Sequence, residues 1–193
     1  MAENKQNKSR RDFLKRLGWG GASAVGMMAI APLSALGKPE EQIADPGKMS
    51  IRENRRTGDK VSLLGYGMMR LPSKDRVINQ DMVNQEVDYA LAHGVNYFDT
   101  APIYHNGHSE EAVGLALSRH PRDKYFVATK LSNFGRNQWN LESSKQMYQH
   151  SMELLKVDYI DYYLLHNVGG KGLDDFKARF EDNGVLEYFQ QER

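Results

Sequence analysis

Between residues 61 and 166, short apolar runs alternate with stretches of helical periodicity at intervals of about 30 residues, the size of one strand–helix unit. No other feature restricts the fold of this chain so strongly. The runs begin near Val61, Val95, Tyr125 and Asp158. Between them, Val83, Val87, Ala90 and Leu91 form a helical stripe over Gln80–His93, with Gly94 as its stop. Ser109-Glu110-Glu111 reads as the start of a second helix, a cap followed by two acids at its positive end, and Arg119, His120 and Pro121 close it. A third helix is expected over Leu141–Lys156, with Tyr148, Met152 and Leu155 on one face. A further helix begins at Phe176 and is interrupted at Asn183-Gly184. Alternation of this kind predicts a parallel sheet with helices outside it.

Three of the apolar runs end on an ionisable residue: Asp99, Lys130 and His166. In a barrel of parallel strands, the carboxyl ends of all strands open onto one face, where chemistry is done. Tyr104 follows Asp99 in the next loop. Taken singly, each has a bland reading: a packing tyrosine, an aspartate capping a turn, a solvated lysine, a satisfied polar histidine. Together, on one predicted face, they form a candidate active site.

The units number four. A complete eight-unit barrel takes about 250 residues, so residues 61–193 are read as the first half of an α/β barrel, either cut short or paired with another copy. Four strands leave two open edges, one of them the apolar Tyr159–Leu165 run, and self-association of such a half barrel is expected.

Residues 1–37 are set apart. Met1–Arg16 carries six basic and two acidic residues, a local charge of +4, and an uncharged stretch follows from Leu17 to Gly37. Ser9-Arg10-Arg11-Asp12-Phe13-Leu14-Lys15 matches the twin-arginine export signal, so the expected location is the periplasm and the expected partner the twin-arginine export machinery. About 20 apolar residues could instead form a signal anchor, but Gly18, Gly20, Gly21, Gly26 and Pro32 argue against a stable membrane span. Cleavage is expected after Ala35-Leu36-Gly37, with Ala29-Ile30-Ala31 as the second choice. Residues 38–60 read as a linker holding a short hairpin over Met49–Asp59, or as an exposed linker throughout; the hairpin is preferred. The total charge of +1 leaves −3 for residues 38–193, which carries no footprint for nucleic acid. The chain has no cysteine, hence no disulfide and no thiolate for an iron–sulfur cluster.

From about Met49 onward the chain resembles the N-terminal half of an aldo/keto reductase. The matching blocks are Leu64-Gly65-Tyr66-Gly67-Met68-Met69-Arg70-Leu71-Pro72, Asn96-Tyr97-Phe98-Asp99-Thr100-Ala101, Tyr104 with Ser109-Glu110, Ala128-Thr129-Lys130, and Asp158–His166. Gly184-Val185-Leu186-Glu187-Tyr188 and the tyrosine-rich fourth strand are similar to the branch that carries a ferredoxin-like C-terminal tail. The resemblance implies a (β/α)8 TIM-barrel fold and the reduction of a small aldehyde or ketone by hydride from NADPH or NADH. It also implies Tyr104 as proton donor, and Gly67, Met68, Met69 and Asp99 beside the cofactor; for the two methionines, core packing is the competing reading.

The chemistry accounts for the residue types. Tyrosine ordinarily titrates near 10, and a neighbouring ammonium favours its ionised form. Lys130 would supply that charge, Asp99 would hold Lys130, and His166 would orient the carbonyl oxygen. His105, His108 and Glu110 have the spacing of a metal site but lack a fixed helix beneath them, and are read as a polar loop at the substrate mouth. A second reading makes the chain a truncated, non-catalytic half barrel serving as a binding or assembly module.

Overall fold

A computed structural model describes residues 48–191 of the 193. The leader expected over residues 1–37, and the start of the linker after it, lie outside the described residues.

The centre of the fold is a four-stranded parallel sheet formed by β3 (Tyr66–Gly67), β6 (Tyr97–Asp99), β7 (Phe126–Leu131) and β8 (Tyr162–Leu165), in that order. Each strand pairs with the one that precedes it in the sheet, Gly67 opposite Asp99, Asp99 opposite Ala128, and Ala128 opposite Tyr162. The intervening helices are α1 (Gln80–Ala92), α2 (Ser109–Leu117) and α3 (Leu141–Leu155). After β8 come α4 (Leu173–Phe176), a π-helical turn (Lys177–Glu181) and α5 (Val185–Gln191). The strand–helix alternation predicted from periodicity is therefore the observed one.

Helix α1 starts where Asn79 accepts a hydrogen bond from the Met82 N–H and stops before Gly94, whose φ of +84° suits glycine. Its stripe of Val83, Val87 and Ala90 is buried against Phe98, Val127 and Leu117 in the main core, with Leu91 at the margin. A second, smaller cluster gathers Leu131, Phe180 and Val185 under the C-terminal helices.

Four local expectations change. The first strand is not one run from Val61 to Gly67. Residues 60–62 form β2, which pairs antiparallel with β1 (Ile51–Glu53), and Leu63 and Leu64 are exposed at 64% and 59%. The preferred hairpin is thus present, but it claims residues that the apolar pattern assigned to the sheet. The Ser62 N–H donates to the Asn96 side chain at 2.7 Å, which ties this hairpin to the start of β6. A second hairpin, β4 (Ser73–Lys74) with β5 (Val77–Ile78), turns through Asp75 and Arg76, both at positive φ without a glycine to announce it.

The fourth strand is shorter than its apolar run and begins at Tyr162; Asp161 before it accepts hydrogen bonds from Arg122 (2.6 Å) and from the Val127 N–H (2.7 Å). Finally, α3 buries Leu155 as expected, but Ser144 and Ser151 are its other buried residues, while Tyr148 and Met152 are half-buried, Tyr148 against Tyr163 and Phe189. Small residues face α2 because the helices nearly touch: a Cβ on Gly114 would come within 2.2 Å of the Leu154 carbonyl oxygen.

Candidate active site

Asp99 is the last residue of β6, Lys130 lies next to the end of β7, and His166 follows β8 directly, its N–H donating to the Leu131 carbonyl (3.1 Å). All three therefore sit at the carboxyl edge of the sheet. The Lys130 Nζ donates to Asp99 Oδ1 (2.5 Å) and to the Thr100 carbonyl (2.7 Å), and lies over the face of the Tyr104 ring, 4.9 Å from its centre. The Tyr104 ring meets His166 edge-on, with centres 5.8 Å apart and planes perpendicular. All four residues singled out in the sequence come together in one cluster.

The lysine is fixed from two sides, and its side chain is largely buried. An ammonium held by one carboxylate and one carbonyl has little freedom to move as charge develops beside it. His166 Nδ1 lies 2.7 Å from Ser132 Oγ, and the Phe134 ring is 5.1 Å from the imidazole. Burial, then the positive charge of Lys130, push the His166 pKa below its ordinary value; Asp99 opposes this and Arg179 adds to it. The imidazole is accordingly neutral at neutral pH.

Tyr104 opens a turn with unusual backbone. His105 (φ 50°, ψ 45°) and Asn106 (φ 55°, ψ 32°) are consecutive left-handed residues, followed by Gly107 at φ +94°. Such conformations cost about 1–3 kcal/mol each at non-glycine positions and persist only where the surroundings enforce them. One restraint is visible: the Leu71 N–H donates to His105 Nε2 at 2.6 Å. His105 is thus a strut under the tyrosine turn. Glu110 points the other way, into the protein, and among the described residues no group of three metal-ligating side chains occurs.

Glu110 and Glu111 lie in the first turn of α2 as read, but Ser109 is not its cap and Glu110 is buried. His108 precedes α2 without a side-chain cap, while the Ser109 hydroxyl is buried, bonded to the Met68 carbonyl (2.8 Å) and the Thr100 hydroxyl (2.9 Å). It stitches the end of β3 to the end of β6. Glu110 is 1% exposed and accepts a hydrogen bond from Thr129 (2.6 Å); burial drives its pKa upward.

At the expected cofactor side, Gly67 stands opposite Asp99, and a Cβ placed on it would meet nothing within 4 Å. Met69 is 53% exposed beside it. Met68 is fully buried among Leu71, Val83 and Phe98, so its side chain serves the core, and its N–H donates to the Asp99 carbonyl (2.8 Å). Gly67 and Met69 thus leave open space next to the Asp99–Lys130 pair.

Ser132, Asn133 and Arg179 were not singled out in the sequence, and His105 was read only as part of a polar loop. Ser132 and Asn133 follow Lys130 by two and three residues, so the same rule of polar residues at strand ends could have found them. Arg179 offered no comparable signal.

With this geometry in view, the relationship to known proteins is specific. The Aldo/keto reductase family profile matches residues 63–172, more than half of the chain. The chain belongs to the aldo/keto reductase family. It is 32% identical over 148 residues to the L-galactose dehydrogenase of Arabidopsis thaliana, covering 75% of this chain and 46% of that enzyme. An aldo-keto reductase of Pseudomonas aeruginosa superposes with a TM-score of 0.60 at 25% identity, over 79% of this chain and 60% of that one. A Bombyx mori aldo-keto reductase, solved in complex with NADP, gives a TM-score of 0.51 at 28% identity, over 66% of this chain and 41% of its own. The chain spans about half the length of the curated relatives it matches. Family and neighbours together make its fold an α/β fold of the TIM-barrel type.

Proposed function

We propose that this chain supplies the first four strand–helix units of an aldo/keto reductase barrel and the acid–base residues of its active site, which reduces small aldehydes or ketones with a nicotinamide cofactor, NADPH or NADH. One observation carries the reading: the Lys130 ammonium joins the Asp99 carboxylate to the face of the Tyr104 ring, while Tyr104 meets His166 edge-on.

When bound, the dihydronicotinamide supplies the hydride. What remains for the protein is to bind the carbonyl, polarise it and deliver a proton. Tyr104 is the proton donor. Lys130, 4.9 Å from the centre of the Tyr104 ring, would stabilise negative charge growing on the tyrosine as its proton leaves, and Asp99 holds Lys130 in place. Ser132 Oγ engages Nδ1 of the neutral His166 at 2.7 Å, which leaves Nε2 as the ring nitrogen to hydrogen-bond the substrate oxygen. Asp99, Gly67 and Met69 would border the nicotinamide; Met68 would support them from the core.

The cellular setting is also a proposal. The motif in residues 9–15 and the uncharged stretch after it support export by the twin-arginine route to the periplasm, with residues 1–37 as the signal and residues 38–60 as linker and hairpin. Among the described residues no helix is long and apolar enough to cross a membrane. The likeness to the branch with a ferredoxin-like tail rests on residues 184–188 and the tyrosine-rich strand, and brings no cysteine with it. One observation favours an assembly role: among the described residues β8 has a neighbour on one side only, and Leu164 on it is 39% exposed. An uncovered strand of this kind invites pairing with another chain.

The experiment is NADPH oxidation in the presence of small aldehydes and ketones. Tyr104→Phe keeps the ring and removes the proton, and should lower turnover by about 10²–10⁴-fold, the usual contribution of a general acid. Wild-type turnover in Tyr104→Phe on every carbonyl tested would remove Tyr104 from the assignment.

A further inference from the structure

Arg179 is an arginine that the chemistry above does not use, yet it is 4% exposed and sits behind His166. Burying a guanidinium costs several kcal/mol unless its donors are satisfied. Here they are. Nη2 donates to the His166 carbonyl (3.0 Å) and to the Asn133 side-chain oxygen (3.1 Å), and Nε shares that oxygen (3.3 Å). Nη1 reaches the Asn167 carbonyl and Asp175, each at 3.4 Å. Asn133, itself fully buried, donates back to the Arg179 carbonyl (3.1 Å).

The backbone is shaped for this contact. Arg179 lies in the π-helical turn, where the Asp182 N–H bonds the Lys177 carbonyl (2.9 Å), a feature often found at functional sites. Asn167, directly after His166, is left-handed at φ +57°, so the chain bends sharply at the point the guanidinium grips. The Phe134 ring stands between imidazole and guanidinium, 5.1 Å from the His166 ring centre and 5.2 Å from Arg179 Cζ.

We propose that Arg179 is a positioning residue for the reductase: by clamping the chain just beyond β7 and β8, it fixes the His166 imidazole against Tyr104. This rests on the carbonyl-reductase reading of the site. A neutral amide could staple the same carbonyls, but it would bring no charge. The groups facing the imidazole are Ser132 and Lys130 of β7, Asp99 of β6, Tyr104 of the following turn, and Phe134 and Arg179. Burial and the two cations disfavour the imidazolium, and Asp99 alone favours it. The clamp therefore aims the ring and also favours its hydrogen-bonding, uncharged form.

The test compares Arg179→Gln and Arg179→Lys in the full chain, following the His166 ring nitrogens by NMR titration alongside carbonyl reduction with NADPH. In Arg179→Gln the His166 midpoint should rise, and kcat should fall roughly tenfold to a hundredfold with KM nearly unchanged. Arg179→Lys should keep the midpoint and recover part of kcat. A lower melting temperature in Arg179→Gln, with midpoint and kcat both unchanged, would make Arg179 a structural staple only and overturn the proposal. Should Arg179→Gln not fold, Asn133→Ala loosens the guanidinium without removing its charge: a fall in kcat at an unchanged midpoint supports the clamp, and unchanged kcat overturns it. If the wild-type protein reduces no carbonyl with any nicotinamide cofactor, the reductase reading fails. The titration then still decides whether Arg179 governs His166.

Discussion

Adjacent residues of β7 send their side chains to opposite faces of the sheet, and each meets a carboxyl group. Lys130 meets Asp99 on the face where the site opens, and Thr129 meets Glu110 on the face covered by α2 and α3. The first pair is an ion pair, with the Asp99 side chain 31% exposed. The second is a carboxyl held by a hydroxyl in a place without water, and burial raises its pKa. The sequence spacing Thr129-Lys130 is the alternation of any strand, so the difference comes from what each face supplies. A paired cation and partial solvent keep a charge available for chemistry; a helix layer whose burial outweighs the pull of His150 and Lys130 makes the same functional group a packing element.

The sharpest way to break this comparison is to remove the cation. Lys130→Met should lower carbonyl turnover by about 10²-fold or more while the fold survives, because Asp99 can reach water. Steady-state kinetics beside circular dichroism will separate the two effects. Comparable turnover in Lys130→Met would mean that the two faces do not differ in function.

A smaller effect is expected from prying open the layer that buries Glu110. In Gly114→Ala the new methyl group would run into the Leu154 carbonyl, so α2 and α3 must part, at a cost of about 1–3 kcal/mol. Urea denaturation measures it, and an unchanged midpoint would show that the helix contact is looser than described.

Thr129→Val removes the hydroxyl that Glu110 holds and should destabilise by about 1–3 kcal/mol, since a buried acceptor loses its partner. Retained stability would mean that Glu110 finds another donor.

The least change is expected for Glu110→Gln, and its sign is opposite. A carboxyl whose pKa is raised on folding holds its proton more tightly in the native state, so its contribution falls as pH rises from the ordinary carboxylate range upward. The neutral amide has no such penalty. Glu110→Gln should therefore match the wild type near pH 4, exceed it in melting temperature near pH 8 by a few degrees, and flatten the slope between. A lower melting temperature than wild type at pH 8 would contradict the raised pKa.

The two faces also differ in how far the amino-acid sequence reveals them. Asp99, Lys130 and His166 could be found because a parallel sheet places all strand ends on one edge, and a polar residue after an apolar run marks that edge. Tyr104 could be placed beside them by its position in the next loop, but its role needed the family resemblance, and the left-handed turn at His105 and Asn106 carries no glycine at either position to signal it. Glu110 was misread because Ser-Glu-Glu before an apolar stretch satisfies the pattern of a helix start, and only the packing of α2 against β7 shows that Ser109 and Glu110 face inward. Arg179 was invisible for a related reason: two of its partners, at His166 and Asn167, are backbone carbonyls, which every residue has, and Asn133 lies 46 residues away in the chain. Val61–Gly67 failed as a single strand because antiparallel pairing with residues 51–53 competed for the same apolar residues.

Strand order along the sheet equals strand order along the chain, and this bears on how the molecule comes into being. Each pairing closes a loop of about thirty residues, so every strand finds its template already in place when it emerges during synthesis. The Asp99–Lys130 pair can form once β7 has docked, well before His166 exists. Tyr104 then waits for one more strand and for the arginine behind it. The order in which the site is assembled is thus written into the order of translation, with His166 the last of the four to arrive.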